Sequence, residues 1–276
     1  MKEKLPAKPT PKPAKPAPIA PTPKATVPLL EFDPATKTII EAKSLFKTQP
    51  HAKRCLITYF EDVVEKLVAE DVLEPAFVIR SEGLRPRVYK ITDAKEITYV
   101  LLTSVGAPNA ARAVETMCAL GVKKFIVTSG AGTLNSNVTK DKICLPASCV
   151  RDEGTSYHYA SPARESKIDK TTMEKIKSVL DKNQVQYETT KSWSTDGIFR
   201  QTTARVANRI REGCQMVEME CAAYYSVAAF KNVALGALYY CGDIVKKEGW
   251  EYKIWHTATQ IRERVFELGL KCLAVL

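Results

Sequence analysis

The chain has 276 residues, enough for one large α/β domain or two small ones, and its 45% hydrophobic and 26% charged residues are ordinary for a globular protein. No apolar run reaches the roughly 18–20 residues of a membrane span, and no apolar stretch follows the first lysines as in a secretory signal. The formal net charge of +10 allows nucleic-acid binding. The body lacks a Lys/Arg stripe interleaved with aromatics, so a solvated basic surface is the preferred interpretation.

Cysteine and histidine usage indicates the compartment and argues against a metal site. Eight cysteines are scattered without a Cys-x-x-Cys pair, and most lie inside apolar segments, which predicts buried free thiols. The chain has only three histidines, so a Cys/His zinc site is not expected. The sequence therefore predicts a cytoplasmic protein without a bound metal and without a membrane association.

The N-terminal segment differs from the rest of the chain. Residues 1–28 contain nine prolines, six lysines and one glutamate. Proline cannot donate to a helix or sheet, so this composition predicts a mobile, polyproline-II-like tail, followed by a single domain over 29–276. The tail is interpreted as dispensable in preference to a ligand for an acidic partner or an aromatic groove, and any partner is left unnamed.

From residue 29 onward, extended and helical patterns alternate. In chain order they are strand 55–59, helix 61–70, strand 98–104, helix 110–120, strand 124–128, strand 143–150, helix 171–183, strand 186–192, helix 196–212, helix 221–230 and strand 234–241. A last helix carries one apolar stripe formed by Ile261, Val265, Leu268, Cys272 and Val275. This alternation predicts a three-layer α/β/α fold with a mostly parallel, mixed central sheet.

Ligands of such sheets bind where strands end in glycine turns and polar residues. Candidate segments are 104–109, a glycine turn at 130–132 within 128–133, 151–159, 193–200, and 217–221 together with 242–243. Each segment alone is also compatible with simple turn chemistry. Their combination and order carry more information than any one of them.

Six segments together resemble the nucleoside phosphorylase family, which includes uridine phosphorylases, purine nucleoside phosphorylases and methylthioadenosine nucleosidases. They are VGAPNAA (105–111), KKFIVTSGAGTL (123–134), VRDEGTSYHY (150–159), WSTDGIFRQT (193–202), VEMECAA (217–223) and YCGD (240–243). The resemblance covers about residues 30–276, and its VEME and VRDEGTSYHY segments favour the uridine phosphorylase-like branch. It implies a nucleoside phosphorylase-like fold and cleavage of an N-glycosidic bond by phosphate. It also implies a homo-oligomer, a dimer or a hexamer, as in the relatives.

Glycosidic cleavage builds positive charge on the ribose, so a carboxylate that holds the sugar is needed. Glu218 and Glu220 lie two residues apart, where an extended segment meets a helix. The resemblance implies that Glu220 bridges the ribose hydroxyls, with Met219 packing on the sugar and Glu218 completing the ribose set. The alternative for Glu220 is an acid that stabilises the helix N-terminus.

Departure of the base calls for a proton donor, and Asp243 is the candidate. It follows the apolar run 235–241, where burial would favour the protonated carboxyl. The resemblance supports this role in purine-cleaving relatives, whereas pyrimidine-cleaving relatives often lack the aspartate. The alternative is a turn or capping aspartate after Gly242, and the identity of the base stays open.

The base pocket is expected in segment 193–200. Phe199 offers a stacking face, and Thr195 and Arg200 offer hydrogen-bonding groups. A core role for Phe199 is an equal alternative. His158 is interpreted as a structural histidine in preference to a substrate contact.

The phosphate site departs from the family. Relatives carry a Gly-Asp-Pro-x-Arg turn after the first strand and an arginine before the glycine turn, but this chain has Val63 and Val127 there. Thr128, Ser129 and Gly130 are candidates for cradling an oxyanion with backbone amides. Arg87, or Arg85, matches an arginine that relatives often receive from a neighbouring subunit, and Arg54 and Arg112 are further candidates.

Three functions remain open. Phosphorolysis of a purine or pyrimidine nucleoside is preferred; it needs inorganic phosphate as co-substrate and no organic cofactor. Hydrolysis is the alternative, in which Glu61 or Asp62 would activate water. The third is a binding or scaffold protein that kept the fold and lost the phosphate site.

Overall fold

The computed structural model describes residues 25–46, 49, 51–83, 85–93, 96–139, 142–246, 248–252 and 258–276. Most of the expected Lys/Pro-rich tail, residues 1–24, lies outside them. The tail and the single-domain boundary at residue 29 therefore stay predictions.

The described residues form eleven strands and eight helices. The strands are β1 Arg54–Thr58, β2 Glu74–Val78, β3 Arg87–Asp93, β4 Glu96–Leu102, β5 Lys124–Thr133, β6 Ile143–Asp152, β7 Glu165–Lys167, β8 Tyr187–Thr195, β9 Met216–Glu218, β10 Ala234–Lys246 and β11 Gly249–Glu251. The helices are α1 Ala42–Leu45, α2 Glu61–Ala69, α3 Ala107–Ala119, α4 Ser136–Thr139, α5 Lys170–Lys182, α6 Thr203–Arg211, α7 Cys221–Lys231 and α8 Thr259–Val275. Single 3₁₀ turns lie at Pro28–Leu30, Thr155–His158 and Ile198–Arg200.

The strands belong to one mixed sheet that closes partly on itself. Its order is β11-β10-β6-β8-β9-β5-β1-β4-β3-β2, and β10 also pairs in parallel with β5. Strands β5, β10, β6, β8 and β9 therefore form a closed ring. The parallel strands β4, β1 and β5 extend from it, with the β2–β3 hairpin at the edge. Strand β5 belongs to both parts, so the residues around its middle lie at their junction.

Helices cover both sides of the sheet and give the expected three layers. α8 packs on β1, β5 and β10 together with α2 and α5, whereas α3 packs against α7. Gly269 allows α8 to approach closely, because a Cβ there would lie 2.6 Å from Cγ2 of Thr128. The core is apolar and contains Val63 and Val127, both almost fully buried. No helix among the described residues has the length and apolarity needed to cross a membrane.

Most predicted elements are confirmed within a few residues, and all eight cysteines are free, six of them buried. Two predictions are wrong. The expected glycine turn at 130–132 is a continuation of β5, because the segment pairs with both β10 and β9. The expected helix 196–212 begins only at Thr203, where the Thr202 hydroxyl accepts the Arg205 amide N–H; the residues before it form a separate 3₁₀ turn.

Candidate active site

Two carboxylates lie at the junction of β9 and α7, as the sequence predicts. Glu218 ends β9, Glu220 is the N-cap of α7, and Met219 between them is half-buried. The site surrounds this junction, and the ends of β1, β4, β6 and β8 also reach it.

Glu218 is fully occupied by protein partners. Its Oε1 accepts the hydroxyls of Ser192 (2.8 Å) and Ser194 (2.5 Å), and its Oε2 accepts the backbone N–H groups of Glu220 (2.7 Å) and Cys221 (2.6 Å). Burial raises its pKa, and these four donors oppose that rise. Glu218 thus ties β8 to the first turn of α7 and fixes the backbone that carries Glu220.

Glu220 is only 3% exposed and connects two chain segments. Its Oε1 accepts the Gly106 N–H (2.5 Å), and its Oε2 accepts the Met219 N–H (3.3 Å). Gly106 has φ +108°, a conformation that suits glycine, and it begins α3 after β4. Burial, with the negative charge of Glu218, raises the pKa of Glu220 to about 8.

Two tyrosines, the half-buried Tyr59 and the buried Tyr224, lie close enough to Glu220 to feel its charge. The hydroxyls of Tyr59, which follows β1, and Tyr224, on the first turn of α7, are 2.8 Å apart. Burial raises both tyrosine pKa values well above the usual range, and the charge of Glu220 adds to the rise. Tyr59 therefore brings a polar group from the β1 end to the Tyr224 hydroxyl, within the influence of Glu220; the sequence analysis missed it.

Asp243 lies on β10, at an irregularity in the pairing with β5 between Cys241 and Ile244. It is half-buried, and its Oδ2 accepts the indole N–H of Trp250 (3.2 Å). The strand continues to Lys246 and returns as β11, so Asp243 lies inside a strand and not in the turn or cap that was its alternative.

The backbone of the expected oxyanion cradle at residues 128–130 differs from the prediction. Thr128 and Ser129 are buried on β5, and Gly130 leaves room for the ring of Tyr240, which a Cβ would meet at 3.2 Å. None of residues 128–132 has a positive φ, so the left-handed geometry of an amide nest is not present there. The Thr128 and Ser129 hydroxyls remain the polar groups that this segment offers.

The candidate arginines have different surroundings. Arg87 on β3 pairs with Glu61 and Glu65 on α2, and Arg54 pairs with Glu96. Arg80 and Arg85 form no ion pair with another described residue. Together with Arg87, Gln49, Phe77 and Val78, they line a groove of about 570 Å³ on the β2–β3 hairpin. Arg112 donates to the backbone carbonyl of Arg80 (2.8 Å) and so supports that groove.

The acids that follow β1 are occupied. Glu61 is held by Arg87, and Asp62 is held by the buried Arg262 of α8 (2.9 Å), whose guanidinium stacks 4.9 Å above the Phe60 ring. Sequence analysis missed Arg262. A signal existed: Arg262 precedes Phe266, Gly269 and Leu273 at spacings of four, three and four, which is a second buried stripe on the last helix.

The three base-pocket candidates lie at the end of β8 and in the turn after it. Thr195 is buried and its hydroxyl accepts the Gly197 N–H (3.3 Å), whereas Arg200 is exposed. Phe199 is 90% exposed, so the alternative of a core residue is wrong. His158 is also exposed. The part of the chain that the structure describes has no cluster of three or more His, Cys, Asp or Glu residues suited to a metal ion.

Comparisons with known proteins agree with this architecture. A guanosine phosphorylase of Halorubrum lacusprofundi is 24% identical over 156 residues, which are 55% of this chain and 64% of that protein. The alignment thus spans less than two thirds of that relative. Solved structures with a similar fold include uridine phosphorylase from Vibrio fischeri ES114 (TM-score 0.66, 17% identity, 81% of this chain and 92% of that chain). Another is AMP nucleosidase from Bacteroides thetaiotaomicron (TM-score 0.65, 18% identity, 82% and 90%).

The decisive comparison is with a family model. The model described as "Phosphorylase superfamily" matches residues 53–273, which include every strand of the sheet and both carboxylates of the β9–α7 junction. The chain belongs to the phosphorylase superfamily.

Proposed function

We propose that this protein is a nucleoside phosphorylase, which cleaves an N-glycosidic bond with inorganic phosphate and gives a free base and a pentose 1-phosphate. The observation that carries the proposal is Glu220, a buried carboxylate held by the Gly106 amide and placed at a helix N-terminus. A scaffold protein would have little reason to retain two buried, adjacent carboxylates, since their desolvation costs stability.

The chemistry divides among few side chains. When ionised, Glu220 accepts the ribose 2′- and 3′-hydroxyls; its raised pKa of about 8 favours the protonated form at pH 7, and the positive charge that grows on the ring favours the ionised one. Met219 packs on the sugar, and Glu218 serves the ribose site by fixing the backbone of Glu220. A phosphate oxygen bonds to C1′ as the C1′–N bond breaks, and the electron pair leaves with the base, which takes a proton from Asp243.

For the anion, we assign Arg80 and Arg85 together with Arg87. All three line one groove, and the first two have no carboxylate partner among the described residues. The groove lies at the sheet edge, while Glu220 lies at the centre, so we propose that it serves the site of a neighbouring subunit. Thr128 and Ser129 supply hydroxyls from the chain's own β5.

Hydrolysis is the second candidate, and two contacts disfavour it. A water-activating base should be free to accept a proton, but Glu61 is paired with Arg87 and Asp62 with Arg262. Both acids that the sequence suggested for that role are therefore already engaged in ion pairs.

The base is proposed to carry a ring N–H next to a carbonyl. Guanosine and uridine, which appear in the names of the two phosphorylase relatives above, share this arrangement. We propose Thr195, Phe199 and Arg200 as its further contacts. The homo-oligomer, the cytoplasmic location and the absence of an organic cofactor or metal stay predictions.

The test is base release from inosine, adenosine, guanosine, uridine, cytidine and methylthioadenosine, each with and without phosphate. Release that requires phosphate and yields pentose 1-phosphate is expected. Equal release without phosphate would show a nucleosidase, and no release from a folded protein would favour the binding protein.

A further inference from the structure

The loop that follows β6 is a compact polar structure. Arg151 donates to the hydroxyl of Ser156 (2.8 Å) and to two backbone carbonyls of the same loop, and its guanidinium lies 4.2 Å above the Tyr157 ring. Asp152 accepts the indole N–H of Trp193 (2.8 Å) and a guanidinium N–H of Arg205 (2.5 Å). These contacts give the first two charged residues of VRDEGTSYHY a structural role.

Glu153 is the exception in this loop. It is 5% exposed; its Oε2 accepts the Ser156 N–H (2.9 Å), while its Oε1 is buried and has no hydrogen-bond partner among the described residues. A buried acceptor without a partner destabilises the fold, and such groups are uncommon in folded proteins. The nearby Thr155 N–H and Ser156 hydroxyl oppose the rise that burial causes in the pKa of this carboxyl, but neither forms a hydrogen bond with Oε1.

The loop places Glu153 near the ribose carboxylate. Strands β6 and β8 are parallel, with Asp152 beside Thr195, and the Gly154 N–H donates to Asp196 (2.8 Å). Arg151, Ser194 and Glu218 pair in a row across the parallel strands β6, β8 and β9, so Glu153 and Glu220, each two residues further along, lie beyond the same edge of that row. Both carboxylates are buried.

We propose that Glu153 determines base specificity, its Oε1 accepting the ring N–H of a base such as hypoxanthine, guanine or uracil. This inference rests on the proposed nucleoside site. With the ribose at Glu220 as proposed, the base extends toward the ends of β6 and β8, where Thr195 also lies.

The proposal separates two classes of base. Hypoxanthine carries an N–H donor at ring position 1, whereas adenine carries an acceptor there and would face the carboxylate lone pairs. A site built to pair one polar group discriminates strongly against its mismatch, because the buried group is then left without a partner. Inosine should therefore be preferred over adenosine, and uridine over cytidine.

The test is Glu153→Gln, measured as the ratio of kcat/KM for inosine to that for adenosine. The Ser156 N–H keeps the amide oxygen on its side and so turns the NH₂ group toward the base. We expect the ratio to fall about tenfold or more, mainly through KM. Asp152→Asn is the matched control, because its contacts are structural and its loss should affect both substrates equally.

Two results would overturn the proposal: an unchanged ratio, with or without an equal loss of kcat/KM for both substrates, or a wild-type preference for adenosine. Thermal unfolding checks that Glu153→Gln is folded. If it is not, Glu153→Asp keeps the carboxylate one methylene shorter and should retain the inosine preference at higher KM; loss of that preference counts against the proposal.

Calorimetric binding of the free bases separates this inference from the proposed function. If the wild type releases no base from any nucleoside, the phosphorylase proposal fails. Hypoxanthine binding that is stronger than adenine binding, and that loses this advantage in Glu153→Gln, would still support the role of Glu153. Equal binding of the two bases by the wild type would overturn it.

Discussion

The two sides of the candidate site differ in how completely one chain builds them. On the β9–α7 side, Glu218 has four hydrogen-bond donors and Glu220 has two, all from buried or partly buried groups. On the β1–α2 side, the acids are paired with arginines, whereas Arg80 and Arg85, which form no ion pair with another described residue, lie on an exposed hairpin. The side proposed for the sugar, below called the sugar side, is thus preorganised within the chain, while the side proposed for the anion, the anion side, is dispersed.

This difference indicates which features the chain specifies by itself. A carboxylate fixed by backbone amides needs no reorganisation when substrate binds, which favours selective stabilisation of charge on the ribose. An exposed arginine contributes little to the stability of the fold until a partner residue or an anion pairs with it. The comparison predicts that changes on the sugar side affect turnover, and changes on the hairpin affect the use of phosphate.

The largest effect is expected for Glu220→Gln. The amide keeps the size of the side chain but removes the charge that balances the ribose cation, so kcat should fall about a hundredfold or more. Base release under saturating phosphate measures it, and circular dichroism checks the fold. Glu212→Gln, which alters only the ion pairs with Arg164 and Arg209, is the matched control. Turnover close to wild type in Glu220→Gln would remove the ribose assignment.

An intermediate effect is expected for Arg80→Gln combined with Arg85→Gln. Loss of two groove cations should raise the KM for phosphate about tenfold and leave the KM for nucleoside nearly unchanged, because charge-assisted bonds to phosphate are lost on one side only. Initial rates over a phosphate series measure this. Arg264→Gln, another exposed arginine, should leave both constants unchanged. A rise in the KM for nucleoside alone would show that the groove binds the nucleoside and would contradict its assignment to phosphate.

A smaller, pH-dependent effect follows from the Glu220 pKa of about 8, raised from 4.5. The folded protein holds this proton more tightly than the unfolded chain, so its contribution to stability is present below pH 4.5 and is lost as pH rises to 8. Glu220→Gln has no such loss, so its free energy of unfolding relative to wild type should increase over this interval by on the order of 5 kcal/mol. Urea unfolding at several pH values tests it. A constant difference between the two proteins would contradict the raised pKa.

The sequence predicted the position of Glu218 and Glu220 well because its signals are local. An extended segment followed by a helix places Glu218 and Glu220 at a junction whatever the distant contacts, and the junction is where the structure has it. The strong apolar periodicities of strands β1, β5 and β6 were recognised for the same reason. Their lengths were not, since continuation of β5 through Gly130 depends on pairing with β10 and β9.

The anion side depended on contacts between distant parts of the chain. The pairing of Asp62 with Arg262 joins residues 200 positions apart, and no local pattern announces it. The β2–β3 hairpin that carries Arg80 and Arg85 was not among the predicted elements at all. No sequence pattern indicates that Oε1 of Glu153 lacks a hydrogen-bond partner among the described residues, because this depends on the contacts of Arg151, Asp152 and Asp196.

The smallest effect is expected for the N-terminus. Deletion of residues 1–28 should leave kcat and both KM values unchanged, because it keeps Leu29, which lies close to Gly154. Deletion of residues 1–41 removes that contact and should lower the thermal midpoint and raise the KM for nucleoside, since the Gly154 loop carries Glu153. Steady-state kinetics and thermal unfolding of the two truncated proteins measure this. A large loss of activity in the shorter deletion would mean that the Lys/Pro-rich tail belongs to the site, and the dispersed anion side is then where its lysines would act.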